Sequence, residues 1–131
     1  MANQLYPSFK EALLSGAVNL TSVDVKAVLI DTADYTFNTA HDFLDDVAAA
    51  SREETSGNLA SKTVTGGVFD AADVTFSATS GDGCEAVILY VDTGNAATSR
   101  LIAYIDTASG LPVTLGGDVT VRWHASGIFA L

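Results

Sequence analysis

The two most apolar segments of the chain lie close together and predict a buried β-hairpin. Ala86–Val91 carries six hydrophobic residues in a row, and Leu101–Ile105 carries five. A strand without polar alternation is stable when both of its faces are covered, so we expect this pair of strands at the centre of the core. Residues 92–99, between them, are mostly turn formers and predict a long hairpin loop.

The remaining pattern predicts a mainly β chain with one short helix near the N-terminus. Residues 23–30 alternate loosely, as expected of a strand that is half or wholly buried, and from residue 52 onward short β-prone segments are separated by glycine-containing turns. This gives about eight to nine strands at spacings of about ten residues, which is typical of a sandwich or barrel. We therefore predict a single antiparallel β-sandwich domain, or a jelly-roll-like variant of it, over residues 1–131. The predicted core includes Val87, Leu89, Leu101, Ala103, Ile105, Val121 and Trp123.

Residues 1–16 predict an apolar arm followed by a helix of about two turns. Ser8 and Glu11 have the spacing of a capping box, and Gly16 suits the left-handed conformation that ends a helix. A helix of this length is marginal alone in water, so it needs an apolar surface from its own sheet or from a neighbouring subunit. The candidate assembly residues of this segment are Leu5, Tyr6 and Phe9.

Acidic residues at the ends of predicted strands indicate turns rather than metal ligands. Asp-Thr pairs follow three predicted strands, at 31–32, 92–93 and 106–107, and such side chains accept backbone N–H groups two residues on. A further acidic segment, 42–47, predicts one helical turn capped by Asp42. Its carboxylates lack the spacing of a calcium loop, so we predict no metal and no other cofactor.

The charge balance narrows the choice of partners. Acidic residues outnumber basic ones by 16 to 6, and the formal net charge of −10 disfavours nucleic acid and anionic membrane surfaces. The longest apolar run is far shorter than the roughly 20 residues of a membrane helix, and no secretory signal pattern is evident, so we expect a soluble chain that is not exported. A hydrophobic content of 48% favours a homo-oligomer.

No group of residues has the pattern of a catalytic site. Cys84, the single cysteine, fits a reducing compartment and a buried strand start better than a nucleophile. His41 lies beside Asp42, but no nucleophile motif accompanies them, and His124 falls in a strand pattern. We predict a protein that is not an enzyme and has no catalytic residues.

Four stretches resemble a family of small proteins encoded among the virion genes of tailed bacteriophages. They are LIDTADY at 29–35, HDFLDDV at 41–47, KTVTGGVFD at 62–70 and SRLIAYIDT at 99–107. The resemblance implies a virion structural protein, made in the host bacterial cytoplasm, that binds the outside of the capsid lattice as a decoration or cement protein. It further implies contact with the major capsid protein or another virion protein, and a homotrimer. The alternative is a tail or fibre component that binds host-surface glycans through residues 93–99.

Overall fold

The structure, a computed structural model, describes residues 3–131 and is mainly β with one α-helix. Met1 and Ala2 of the predicted arm lie outside the described residues. The helix, α1, spans Pro7–Leu14, and two short 3-10 turns span Leu44–Asp46 and Ala49–Ser51. The strands are β1 (Gln4–Leu5), β2 (Val25–Ile30), β3 (Arg52–Thr55), β4 (Thr63–Thr65), β5 (Val68–Asp70), β6 (Val74–Thr79), β7 (Ala86–Val91), β8 (Leu101–Ile105), β9 (Gly117–Val121) and β10 (Phe129–Ala130). The predicted fold class, antiparallel and sandwich-like with a short N-terminal helix, is confirmed.

Five strands form the large sheet, in the order β1-β8-β7-β2-β3 with every pair antiparallel. The central strand β7 places Leu89 opposite Ala27 of β2 on one side and Ala103 of β8 on the other. Every residue of β7 and β8 is buried. The prediction that this hairpin lies at the centre of the core is confirmed.

Both faces of the large sheet are covered, as its uninterrupted apolar strands require. On one face, Phe37 and Tyr35 pack near Tyr104 of β8, with ring centroids 5.8 and 6.2 Å away. On the other face, Ala103 and Ile105 lie across a small cavity from the C-terminal strand β10. The segment between β2 and β3 therefore contributes a layer of the core, although it forms no strand.

The remaining strands form two smaller sheets. We call the three-stranded sheet β10-β5-β4 the small sheet; β6 and β9 pair as a separate ribbon. All seven predicted core residues are buried, including Val121 of β9 and Trp123 beyond it. Their side chains and the buried apolar side chains of the large sheet belong to one continuous apolar cluster.

Helix α1 connects the large sheet to the small sheet. The backbone N–H of Tyr6 donates to the carbonyl of Ile102 in β8 at 3.0 Å. The ring of Phe9 meets that of Phe129 edge to face at 5.9 Å, and Phe129 in turn lies 5.4 Å from Phe69 of β5. The helix is thus held by tertiary packing, which a segment of two turns needs.

The start of α1 differs from the predicted capping box. Tyr6 precedes the helix in an extended conformation without a side-chain cap, and Pro7 occupies the first turn. Proline suits that position because its φ is fixed and its missing N–H would be unpaired there in any case. Ser8 therefore lies inside the helix, so its predicted role as N-cap was wrong. The predicted end is confirmed, because Gly16 has a φ of +77°.

The predicted aspartate turns at Asp31 and Asp92 are also found, and the one at Asp106 stays a prediction. A side-chain oxygen of Asp31 accepts the N–H of Ala33 at 2.9 Å, and that of Asp92 accepts the N–H of Gly94 at 3.1 Å. The acidic turn at 42–47 is present, but its cap was assigned to the wrong residue. The carboxylate of Asp46 accepts the N–H of Asp42 at 2.9 Å, closing the turn from its far end.

Candidate functional site

The three candidate assembly residues contact their own chain. Tyr6 and Phe9 are fully buried. Leu5, on the edge strand β1, is half-buried and lines the same small cavity as Phe129. The sequence allowed two surfaces to cover the N-terminal segment, the sheets of its own chain or a neighbouring subunit. In the structure, the chain's own sheets cover Tyr6 and Phe9. The role of Leu5, Tyr6 and Phe9 in assembly stays a prediction. Because Tyr6 and Phe9 are buried, neither offers exposed apolar surface to a partner.

Exposed apolar surface lies instead beside the small sheet. A groove of about 600 Å³ runs between the C-terminal end of α1, the β4–β5 hairpin and the C-terminal strand. We call it the apolar groove. Its principal apolar lining residues are Leu13, Val18, Val64, Val68, Phe129 and Leu131. Every side chain that lines it is uncharged.

Three large aliphatic side chains are exposed, and two of them line the groove. Val64 in the groove is 54% exposed and Leu131 is 75% exposed, while Leu14, which follows the groove residue Leu13, is 90% exposed. Scattered apolar residues are normal on a protein surface, but a grouped set commonly marks an interaction site. The sequence pattern predicts short strands from residue 52 onward, but it does not indicate which of them remains exposed.

The hairpin that borders the groove is held in place by its turn. Gly66 and Gly67 both have left-handed φ values, +61° and +79°, as a two-residue type I′ turn requires. The backbone N–H of Leu131 donates to the carbonyl of Gly67 at 2.9 Å. A Cβ atom on Gly67 would lie 3.3 Å from the carbonyl oxygen of Leu131, so the two backbones are close. At the other end of the hairpin, the ammonium of Lys62 donates to the carbonyl of Val23. These contacts fix β4 at the outer edge of the small sheet.

A cluster of three carboxylates is the feature that sequence reasoning missed most completely. Asp31, Glu53 and Asp82 each bring one carboxylate oxygen within 4.8 Å of the others. Glu53 accepts the N–H of Asp82 at 3.2 Å, so part of the cluster orders the loop before β7. Acidic side chains commonly meet in this way without an ion, so the absence of a metal stays a prediction.

Cys84 lies next to this acidic cluster and is fully buried, as predicted. Burial, reinforced by the nearby carboxylates of Glu53 and Glu85, raises the pKa of the Cys84 thiol to about 12. The thiol is therefore neutral near pH 7, whereas the thiolate is the reactive form. Its backbone exchanges two 2.8 Å hydrogen bonds with Val113. These features favour a structural role.

Both histidines have partners that stabilise local structure. The hydroxyl of Tyr35 lies 2.9 Å from Nδ1 of His41 and 2.7 Å from the hydroxyl of Tyr6. Burial raises the pKa of Tyr35 to about 12 and that of Tyr6 still further, so both hydroxyls stay protonated near pH 7. Nδ1 of His124 accepts the N–H of Ser126 at 3.0 Å. The hydrogen bonds of Tyr35 tie the segment after β2 to the N-terminal arm, whereas that of His124 is local.

The predicted glycan-binding loop uses many of its polar groups internally. The hydroxyls of Thr93 and Thr98 lie 2.6 Å apart, and that of Ser99 donates to the carbonyl of Asn95 at 2.9 Å. The side-chain oxygen of Asn95 accepts the N–H of Ala97, also at 2.9 Å. These bonds shape the loop and leave fewer groups for an external sugar.

Comparison with known proteins gives no family assignment. The sequence matches no protein-family model, and it matches no curated protein. The bacteriophage resemblance therefore stays a hypothesis that rests on the four stretches described above.

Proposed function

We propose that this chain is a structural protein of a tailed-bacteriophage virion that forms a homo-oligomer and binds the outside of the capsid lattice as a decoration protein. Its partners in this role are further copies of itself and the major capsid protein or another virion protein. The observation that carries the proposal is the apolar groove, an open apolar surface on a strongly acidic domain. The capsid location comes from the resemblance of the four stretches.

Three large aliphatic side chains are exposed, of which Val64 and Leu131 line the groove and Leu14 follows the groove residue Leu13 in sequence. Full burial of a large aliphatic side chain is worth about 1.5 to 3 kcal/mol relative to exposure. Leu14, Val64 and Leu131 are all more than half exposed. A protein partner that covered them would gain much of this free energy, so the surface suits lasting assembly contacts.

The charge of the chain supports a protein lattice as the second partner. A net charge of −10 disfavours nucleic acid and anionic membranes and suits basic patches on a protein surface. Within residues 3–131, no helix has the length and hydropathy needed to cross a membrane. Cys84 and the two histidines have structural surroundings, and we propose a non-catalytic role.

The alternative, a tail or fibre protein that binds host glycans, gains no support from its candidate loop. Thr93, Asn95, Thr98 and Ser99 hydrogen-bond to one another. A glycan site of this kind would have to break part of that network, at a cost for each buried or paired polar group that loses its partner.

Electron cryo-microscopy of phage particles carrying this protein with a density label tests the proposal. We expect label on the outer capsid surface. The variant Leu14→Glu/Leu131→Glu should lose this label, since it places two charges on the exposed apolar residues. The matched control Ser77→Glu/Ser126→Glu adds the same charges at exposed positions outside the groove and should keep the label. Label confined to the tail would contradict the capsid role, and turnover of glycan or peptidoglycan by the purified protein would contradict the non-catalytic one.

A further inference from the structure

We infer that β4 is a self-association strand, through which two copies of this chain pair antiparallel about a two-fold axis and join their small sheets into one. This inference rests on the homo-oligomer in the proposed function but not on the virion. It names the part of the surface that a second copy covers, the β4 edge and the adjoining apolar groove.

The outer edge of β4 has hydrogen-bonding groups that can pair with another strand. β4 pairs with β5 on one side only and forms the outer strand of the small sheet. In a hairpin closed by a two-residue turn, the pair next to the turn, Thr65 and Val68, exchanges both backbone hydrogen bonds. The following pair, Val64 and Phe69, does not, so the N–H and C=O of Val64 point away from the sheet. Among residues 3–131, no hydrogen bond to these two groups is found.

The β4 strand is also complementary to a second copy of itself. Its sequence is Thr-Val-Thr, and all three residues are exposed. With Val64 on the two-fold axis, its outward N–H and C=O meet those of Val64 in the second copy. Thr63 then lies opposite Thr65 of the other chain at both ends. Threonine pairs and β-branched pairs are favourable across neighbouring antiparallel strands.

The absence of charge at the β4 edge favours a second copy over a basic partner. Two chains of net charge −10 repel wherever their carboxylates face each other. β4 and the groove have no charged side chain, and the one acidic residue in the three strands of the small sheet, Asp70, lies on β5 opposite Thr63. A basic partner would instead be attracted to the acidic remainder of the surface.

The side chain of Val64 links the strand to the groove. Val64 is directly opposite the core residue Phe69 and therefore projects from the same face of the small sheet. Pairing of two β4 strands brings both Val64 side chains together on that face, where both grooves open. One contact thus satisfies the open backbone groups and covers exposed apolar surface.

Sedimentation equilibrium of the purified chain tests the inference. We expect the wild type to be a dimer, with association that tightens at higher salt because screening weakens the repulsion between acidic copies. Val64→Lys should weaken dimerisation by about tenfold or more, since it places like charges opposite each other at the axis. Val64→Thr keeps a neutral β-branched residue and should stay dimeric. Ser77→Lys adds the same charge at an exposed position outside the groove and should also stay dimeric.

A proline variant separates the backbone contribution from charge and from folding. Val64→Pro removes the outward N–H, and an edge strand tolerates proline where its N–H faces solvent. We expect a folded monomer, with folding checked by the fluorescence of Trp123. Val64→Pro decides the question if Val64→Lys fails to fold. A monomeric wild type, or a dimer or trimer unaffected by both variants, would overturn the inference.

The outcomes also distinguish this inference from the proposed function. A wild-type dimer that Val64→Lys dissociates, together with label absent from the capsid, would leave the self-association strand standing and remove the capsid role. A trimer that decorates capsids and is unaffected by Val64→Lys would support the capsid role and overturn the self-association strand. It would also agree with the trimer that the phage resemblance implies.

Discussion

The central hairpin and the β4 edge use similar residues in opposite ways. All the residues of β7 and β8 are buried, whereas all three residues of β4 are exposed. Valine occupies both settings, fully buried at Val87 and 54% exposed at Val64. The difference lies in the neighbours, because β7 has a strand on each side and a packed layer on each face, while β4 has a strand on one side only. A β-branched residue thus contributes to the core or to the surface according to strand order.

The largest loss of stability is expected from a substitution at the contact between the large sheet and the small sheet. Phe9 is fully buried and packs on Phe129 of the small sheet, while Tyr6, immediately before α1, donates its backbone N–H to β8 of the large sheet. We expect Phe9→Ala to lower the free energy of unfolding by about 3 to 5 kcal/mol, as is usual for a buried aromatic residue. Urea unfolding followed by Trp123 fluorescence measures the loss, with the exposed neighbour Lys10→Ala as control. If stability is unchanged and only the oligomer dissociates, Phe9 belongs to an interface as the sequence alternative proposes.

A second experiment compares the two settings directly. Leu89 is fully buried at the centre of β7, and truncation to alanine leaves a cavity that should cost about 2 to 5 kcal/mol. Val64→Ala removes side-chain atoms from an exposed strand and should cost less than about 0.5 kcal/mol in the monomer. Both are measured as urea midpoints at a protein concentration low enough to exclude oligomers. Equal losses would show that the edge strand is as well packed as the centre.

The central hairpin was predictable because its requirement is local. Ala86–Val91 and Leu101–Ile105 are found with the predicted bounds, since uninterrupted apolar strands have to be covered on both faces. Gly16 ends α1 for an equally local reason, its left-handed φ. The start of the same helix was mispredicted because Ser8 and Glu11 fit one capping pattern while Pro7 fits a competing one.

The candidate site was not predictable because it depends on long-range pairing. Val64 is open since β5 pairs with β10, nearly sixty residues later, and leaves β4 at the edge. The acidic cluster likewise joins Asp31, Glu53 and Asp82 from three distant segments, and no spacing in the sequence relates them. The patterns indicate strands, but the order of strands in a sheet decides which residues face solvent.

The smallest expected effect lies at the solvent-exposed end of the large sheet. Lys26 of β2 and Asp92, just after β7, form an ion pair of 3.1 Å. The backbone N–H of Gly94 and then Lys26 hold the pKa of the Asp92 carboxyl below its usual 3.8. A lowered pKa in the folded state means that this contribution is fully present above about pH 4 and is lost as the pH falls through the folded-state pKa.

Asp92→Asn isolates this contribution, since the amide oxygen can still accept the N–H of Gly94 while the charge on Lys26 loses its partner. We expect a loss of less than about 1 kcal/mol near pH 7, because the pair is partly exposed and screened by solvent. The difference from wild type should shrink as the pH falls below about 4, where the wild-type carboxylate becomes protonated as well. Urea midpoints across this range measure it, with Asp45→Asn as an exposed carboxylate control. A loss that stays constant down to about pH 2 would show that the effect of Asp92→Asn does not come from the charge of the carboxylate.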